Sequence, residues 1–293
     1  MRFTEIGQQL RAYRLESGLR AEEIAARLGV SRAALYRYEK GEVIKLDTIQ
    51  RLAELLKISP LSLLGIGVEY YNRPVGYLER VRQIEETADQ ILQIDGSVCY
   101  LTTTDGYDNA LATALGEFTD QGGADRAVLR AAAEQILGIL DARKRMYVAR
   151  KPSIIDIVPS IRVRQFLEGG IAPSLPLSDR VRRICRQAAA TELLHVAEMM
   201  EAEPMGLQFG LLLQAEPSGT FKILRARDRA TLAVNPFRPD ASPNAGMGVA
   251  MITGADEAIA AHQRVAESLW RESVKAAAAA ARLRELVQAN RAE

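Results

Sequence analysis

The basic residues Arg32, Arg37 and Lys40 lie within nine positions of one another. A guanidinium can donate two parallel hydrogen bonds to O6 and N7 of guanine in a DNA major groove, and an ammonium can neutralise a phosphate. A small residue, Ala33, lies beside the first arginine and leaves room for a close approach. The candidate nucleic-acid contacts are Arg20, Ser31, Arg32, Ala33, Tyr36, Arg37, Lys40 and Lys45.

These side chains need a short helix that is anchored from behind. In the stretch 21–42 apolar residues recur every three or four positions, which predicts two helices separated by a tight turn. Gly29 suits the left-handed conformation that ends the first helix, and the Ser31 hydroxyl can cap the second. Leu35 and Tyr38 anchor the second helix, so its opposite face carries Arg32, Ala33, Tyr36 and Arg37.

Residues 1–66 are expected to form five helices. The predicted helices are 4–16, Ala21–Leu28, a third after Ser31, 47–56, and a short one in 59–65. The glycines and the proline of GIGVEYYNRP (65–74) mark the end of this unit. It carries eleven basic and eight acidic residues, a net charge of +3, against +1 for the whole chain. Any attraction to nucleic acid is therefore local.

The stretch LRAYRLESGLRAEEIAARLGVSRAALYRYEKGE (10–42) resembles the phage-repressor-like (Xre/Cro-like) helix-turn-helix regulators, and LDTIQRLAELLKISPLSLL (46–64) continues their fourth and fifth helices. The resemblance covers residues 3–66 and implies a DNA-binding head. It also implies a partly buried pair, Arg14 with Glu39, between the first and third helices. Where this family usually has a phosphate-contacting glutamine, this chain has Ala21, so binding would depend more on Arg20 and on helix N-termini.

Two other interpretations of residues 1–66 are a helical bundle without nucleic-acid contacts and a helix-turn-helix fold kept as a protein-interaction module. The agreement of turn, cap, basic outer face and following helices disfavours the first, because such consistency marks a specified structure. The exposed arginines disfavour the second.

The rest of the chain is predicted to form a larger α/β domain with a mixed, partly antiparallel sheet and a long C-terminal helix. Helices are expected at 75–94, 105–119, 125–147, 154–167, 177–201 and 256–290. Strands are expected at 97–104, 206–215, 220–226, 229–234 and 248–253, with a hairpin turn at 217–219 and an irregular loop at 235–246. The predicted domains are a helix-turn-helix domain (1–66), a linker and connecting helix (67–95), and a sensor and oligomerisation domain (96–293).

This larger part contains no P-loop, G-x-G-x-x-G, H-E-x-x-H or G-x-S-x-G motif. His195 and His262 lie on predicted helices near glutamates, so a metal or acid–base role is conceivable, although lone helical histidines usually pack or cap. TTTDG (102–106) suits either an anion at a helix N-terminus or an ordinary loop, and the carboxylates of 84–90 suit a solvated helix face. No catalytic residue, metal ligand or cofactor is predicted.

The order of elements after residue 96 is similar to sensor domains of bacterial and archaeal regulators, some of which have a phospholipase D-like α/β fold. The H-x-K signature of the active enzymes is absent, so such a domain would be catalytically silent. A DNA-binding head needs no partner domain of this size, so we expect the domain to supply dimerisation, effector sensing or both. An effector pocket could be lined by residues that suit a plain core equally well: Met199, Met200, Met205, Phe209, Phe221 and Phe237.

Two apolar stripes could join a homodimer on an inverted-repeat operator in double-stranded DNA. For both stripes, packing within the chain's own domain is the alternative. One stripe lies on the predicted helix 75–94 and comprises Leu78, Val81, Ile84, Ala88 and Ile91. The other recurs every seven residues on the predicted last helix and comprises Ile259, Ala266, Ser273, Ala280 and Val287.

We expect a cytoplasmic, dimeric transcriptional regulator that responds to a small-molecule effector or a partner. The alternatives are a DNA-binding antitoxin or partner-tethering subunit, and an enzyme fused to a DNA-binding head. Cys99 and Cys185 show no metal-site spacing and fit a reduced compartment. The sequence has neither an apolar leader nor an apolar run long enough to cross a membrane, so no membrane partner is expected.

Overall fold

The N-terminal region folds into five helices around a small core. The computed structural model describes residues 3–94, 96–214, 216–217, 219–237 and 248–292. Leu10, Ile24, Leu35 and Leu52 are completely buried at the centre of this helical head. Its helices are α1 (Phe3–Ser17), α2 (Ala21–Leu28), α3 (Arg32–Glu39), α4 (Leu46–Leu56) and α5 (Pro60–Leu63).

The remainder of the described chain is built on one eight-stranded sheet with the order β1-β7-β6-β5-β2-β3-β4-β8. Strands β2, β3 and β4 run parallel, and the other neighbouring pairs are antiparallel. The predicted α/β domain with a mixed sheet is therefore confirmed. The strands are β1 (Val68–Tyr71), β2 (Gln90–Ile94), β3 (Ser153–Pro159), β4 (Leu207–Leu212), β5 (Phe221–Arg225), β6 (Ala230–Val234), β7 (Ala250–Thr253) and β8 (Val274–Lys275).

Helices cover both faces of this sheet. Ile94 and Ile223 on one face pack with Ile259 and Ala266, which belong to the second-last helix. Residues of the opposite face belong to the core cluster that also contains the head. The helices are α6 (Pro74–Glu85), α7 (Asp105–Asp120), α8 (Arg126–Arg150), α9 (Ser160–Gly169), α10 (Asp179–Ala202), α11 (Asp256–Glu272) and α12 (Ala276–Ala292).

Two helices predicted from apolar spacing are in fact a helix joined to a buried strand. The predicted helix 75–94 ends at Glu85, and Gln90–Ile94 is the central strand β2. In the predicted helix 154–167, residues up to Pro159 form β3, and α9 begins at Ser160. Central strands are apolar on both faces, so a short apolar run satisfies helical spacing by chance.

Three further predictions about the α/β domain are wrong. Residues 97–104 form no strand and contain a short 3₁₀ turn at Tyr100–Thr102. The turn at 217–219 closes no hairpin, because β2 and β3 lie between β4 and β5; Ser218 itself is outside the described residues. The final helix is interrupted at Val274–Lys275, which pair with β4. Most of the loop predicted at 235–246 lies outside the described residues.

Both apolar stripes proposed for a dimer are buried within the chain. Val81, Ala88 and Ile91 belong to the core that α6 and β2 share with the head. On the last two helices, Ala266 packs under the sheet and Ala280 packs in the main core. Packing within the chain is therefore the correct interpretation of both stripes, since neither faces solvent.

The head is joined to the sheet by direct packing. Strand β1 begins at Val68, shortly after α5 ends at Leu63, so residues 67–95 supply two strands and α6. The ring of Tyr13 on α1 stacks on Tyr71 of β1, with centroids 5.3 Å apart and planes 13° apart. Residues of the head and of the α/β domain form one continuous hydrophobic cluster.

Polar contacts reinforce this junction between α1, β1 and α6. Buried Glu69 accepts hydrogen bonds from Gln9 Nε2 (2.6 Å), Tyr71 Oη (2.7 Å) and Arg80 Nε (2.9 Å). Arg11 lies 2.8 Å from Glu79 of α6. The contacts of Glu69 are largely removed from water, whereas Arg11 is half exposed. Together they fix the orientation of α1 relative to the sheet.

Candidate nucleic-acid interface

The turn between α2 and α3 is set by two residues. Gly29 adopts φ 70° and ψ 30°, the left-handed conformation that glycine reaches without strain. The backbone N–H of Val30 donates to Ala25 O at 3.0 Å and closes α2. Ser31 Oγ accepts from the Ala34 backbone N–H at 3.1 Å and starts α3. The turn and cap predicted from the sequence are present.

The inner face of α3 is held tightly against the head. Leu35 is fully buried, and α1 approaches the end of α3 so closely that a Cβ at Gly7 would lie 2.5 Å from Tyr38 O. At the same crossing, Arg14 Nε and Nη2 donate to Glu39 Oε1 and Oε2 at 2.5 and 3.1 Å. Burial lowers the pKa of Arg14, but the hydrogen bond and charge of Glu39 outweigh it and raise that pKa above its usual value. The pair expected from the family resemblance is in contact.

The outer face of α3 is open to solvent. Arg32, Ala33, Arg37 and Lys40 are exposed, and Tyr36 is half-buried between them. The four exposed residues therefore lie on the surface that the sequence assigned to DNA.

Both arginines on this face contact a glutamate outside α3. Arg32 Nη1 lies 2.8 Å from Glu22 Oε1 on α2, and its Nη2 donates to Tyr36 Oη at 3.3 Å. The hydrogen bond to Tyr36, followed by the charge of Glu22, raises the pKa of Arg32. Arg37 Nε lies 3.4 Å from Glu42 Oε2. The two arginines and the two glutamates are more than half exposed, so their ion pairs are weak and can exchange for other acceptors.

The remaining candidate contacts flank α3. Arg20 and Lys45 are exposed and occupy the N-cap positions of α2 and α4. Neither side chain caps its helix, so each cation is placed next to backbone N–H groups that can also face an anion. The structure brings the candidate residues to three neighbouring elements of one head.

The other residues singled out in the sequence have structural partners. Thr104 N donates at 3.2 and 3.1 Å to the two carboxylate oxygens of buried Glu192, so the anion at the start of α7 is the protein's own. Glu85, expected on a solvated face, is fully buried against Arg143, with Nε–Oε2 at 2.7 Å. His262 Nδ1 lies 2.8 Å from Ala258 O.

No metal site or shared effector pocket emerges from these residues. His195 Nδ1 lies 3.9 Å from Glu198, and the described residues contain no group of three metal-ligating side chains. Of the six residues considered for a pocket, Met205 is fully exposed, while Phe209 and Phe221 belong to different core clusters.

Sequence reasoning missed the glutamates that neighbour the arginines. Glu22 lies on another helix from Arg32, and a separation of ten residues gives no helical signal. Glu42 follows Arg37 by five residues across a turn, where periodicity carries no information. The crossing of α2 and α3 brings Glu22 to Arg32, and the turn after α3 brings Glu42 to Arg37.

One comparison with known proteins identifies the head. The family described as "Helix-turn-helix domain" matches residues 5–63, the span from α1 to α5. No curated protein matches the chain. Within the described part of the chain, none of the helices has the length and apolar character needed to cross a bilayer. The head is thus a helix-turn-helix domain, a fold that indicates a DNA-binding regulator.

Proposed function

We propose that this protein is a sequence-specific transcriptional regulator of the phage-repressor-like (Xre/Cro-like) type that binds double-stranded DNA. The observation that carries the proposal is the asymmetry of α3 within the matched domain. Its inner face is anchored by Leu35 and the Arg14–Glu39 pair, whereas its outer face presents Arg32 and Arg37 to solvent. A rigid helix with exposed arginines fits the major groove.

The proposed contacts divide into two kinds. Arg32 and Arg37 each donate two hydrogen bonds to a guanine and thereby specify sequence. Lys40, Arg20 and Lys45 bind phosphates and set the register of the head on the duplex. On binding, the arginines exchange their weak pairs with glutamates for base acceptors.

The regulator is proposed to act as a homodimer on an inverted repeat. One head contacts too little DNA for tight specific binding, so two heads are held at a fixed separation of about one helical turn. The dimer surface lies outside the two buried stripes. Because α1 is packed against β1 and α6, we place control by a small-molecule effector or a partner in the α/β domain.

A selection experiment tests this function directly. Full-length protein is used to enrich duplexes from a random pool, and the enriched sequences are footprinted. We expect an inverted repeat whose half-sites are one helical turn apart. An Arg32→Ala/Arg37→Ala variant serves as the matched control and should enrich no motif. Equal enrichment of all sequences by the wild-type protein would reject sequence-specific recognition.

A further inference from the structure

The first turns of α10 carry four arginines on one solvent-facing side. Arg180, Arg182, Arg183 and Arg186 are all exposed. On the opposite side, Val181, Cys185 and Ala189 are buried in the cluster formed with α7 and α8. These arginines, here called the α10 basic face, are therefore held in place by a well-packed helix.

The α10 basic face differs from the other arginine-rich helix surface of the domain. On α8, Arg126 lies 2.7 Å from Asp120, Arg145 lies 2.6 Å from Asp141, and Arg130 lies 3.9 Å from Glu134. Among the described residues, no acidic side chain forms an ion pair with any member of the α10 basic face. The nearby carboxylate of Glu117 instead accepts a hydrogen bond from Ser178 Oγ at 2.8 Å.

This placement of charge is unfavourable for the folded chain alone. Arg180 and Arg182 lie in the first turn of α10, where the positive end of the helix dipole disfavours cations. Arg182 and Arg186 are four residues apart, a spacing at which like charges repel. Asp179 lies in the same turn but forms no ion pair with these arginines among the described residues, so a polyanion would relieve both effects.

The α10 basic face is separate from the proposed DNA contacts of the head. Its arginines belong to α10, which packs with α7 and α8, whereas Arg20 and Arg32 lie at the starts of α2 and α3.

We propose that the α10 basic face is a second phosphate-binding surface, which contacts the DNA backbone in addition to the head. This inference rests on the proposed function. Phosphate contacts carry no sequence information, so the surface adds affinity and salt dependence without changing the preferred sequence.

The test compares two variants that remove equal charge from full-length protein. Arg182→Gln/Arg183→Gln/Arg186→Gln removes three unpaired arginines, and Arg126→Gln/Arg130→Gln/Arg145→Gln removes three paired ones. Binding is measured by fluorescence anisotropy over a salt series on a random-sequence duplex of three helical turns. Each lost phosphate contact reduces the slope of log K against log salt by about 0.9. We expect a reduction of about 2.7 for the α10 variant and a much smaller one for the α8 variant.

Further measurements separate the possible failures. The α10 variant should melt no lower than wild type and should keep the wild-type ratio of operator to random-duplex affinity. Equal slopes for the two triple variants would overturn the inference. If those slopes were equal but Lys40→Gln/Lys45→Gln reduced the slope, the proposed function would stand without the inference about the α10 basic face. A wild-type protein that binds no duplex would overturn both.

Discussion

Removing Glu39 should destabilise the head without removing a DNA contact. The Arg14 and Glu39 side chains are only 13% and 4% exposed, and two hydrogen bonds join them. In a Glu39→Ala variant, the guanidinium of Arg14 loses both acceptors while remaining mostly buried. Loss of one partner of a buried pair costs roughly 3–5 kcal/mol.

The structure places the cost of this substitution at or below the lower limit of that range. Arg14 retains some exposure, and its guanidinium lies over the Tyr36 ring at 5.9 Å from the centroid, so part of its interaction survives. We therefore expect a loss of about 2–3 kcal/mol in the free energy of unfolding. For a chain of this size, that corresponds to a decrease in melting temperature of roughly 4–12 °C.

Thermal unfolding followed by circular dichroism would measure this effect. The Arg14→Met/Glu39→Leu double variant is the control, because replacing both charges with apolar groups leaves no unpaired charge. It should melt above Glu39→Ala. Binding of DNA well below the transition should survive in both variants. An unchanged melting temperature together with lost DNA binding would place Glu39 in the interface and refute the reasoning.

Four other substitutions test the site and the fold. Arg37→Ala should weaken operator binding by about 1–3 kcal/mol and relax the sequence preference at one base position. Lys40→Ala should weaken binding to all duplexes alike. Equal losses of affinity for operator and random DNA in Arg37→Ala would count against base reading. Ile84→Asp puts a charge at an 8% exposed core position and should lower the melting temperature sharply; a folded monomer in sedimentation would contradict this. Burial raises the pKa of Glu79, but Arg82 and Arg11 outweigh this effect and hold that pKa below 4.5. Glu79 therefore stabilises the folded protein above pH 4.5, and this contribution is lost on acidification. Glu79→Gln should thus flatten the pH dependence of urea unfolding, and an unchanged profile would argue against this role.

The head was predictable because its signals are local. The turn at Gly29, the cap at Ser31 and the apolar spacing around them all lie within one short stretch. They can therefore be recognised without knowledge of the rest of the chain. The same stretch also shows which face of α3 points outward. The partners of the arginines were not predictable, because Glu22 meets Arg32 only through the crossing of two helices.

The sheet was harder to predict because its strands are defined by distant partners. The short run Gln90–Ile94 fits a helix by spacing, and only its pairing with β3 and β5 makes it a strand. Likewise, β4 pairs with β3 rather than with the next strand in sequence. Propensity and turn residues describe neighbours along the chain, whereas pairing depends on which strands meet in space.

The stacking of Tyr13 on Tyr71 has a consequence for how the protein is made. The head is translated before the sheet, and the ring of Tyr13 on α1 is covered by Tyr71 when β1 packs against it. Among the described strands, the neighbour of β1 is β7, at Ala250–Thr253. Until most of the chain has been translated, the outer surface of α1 lacks its covering strand. We therefore expect a polypeptide interrupted before β7 to present Tyr13 to chaperones and proteases, so that only chains completed through β7 have an intact junction between head and sheet.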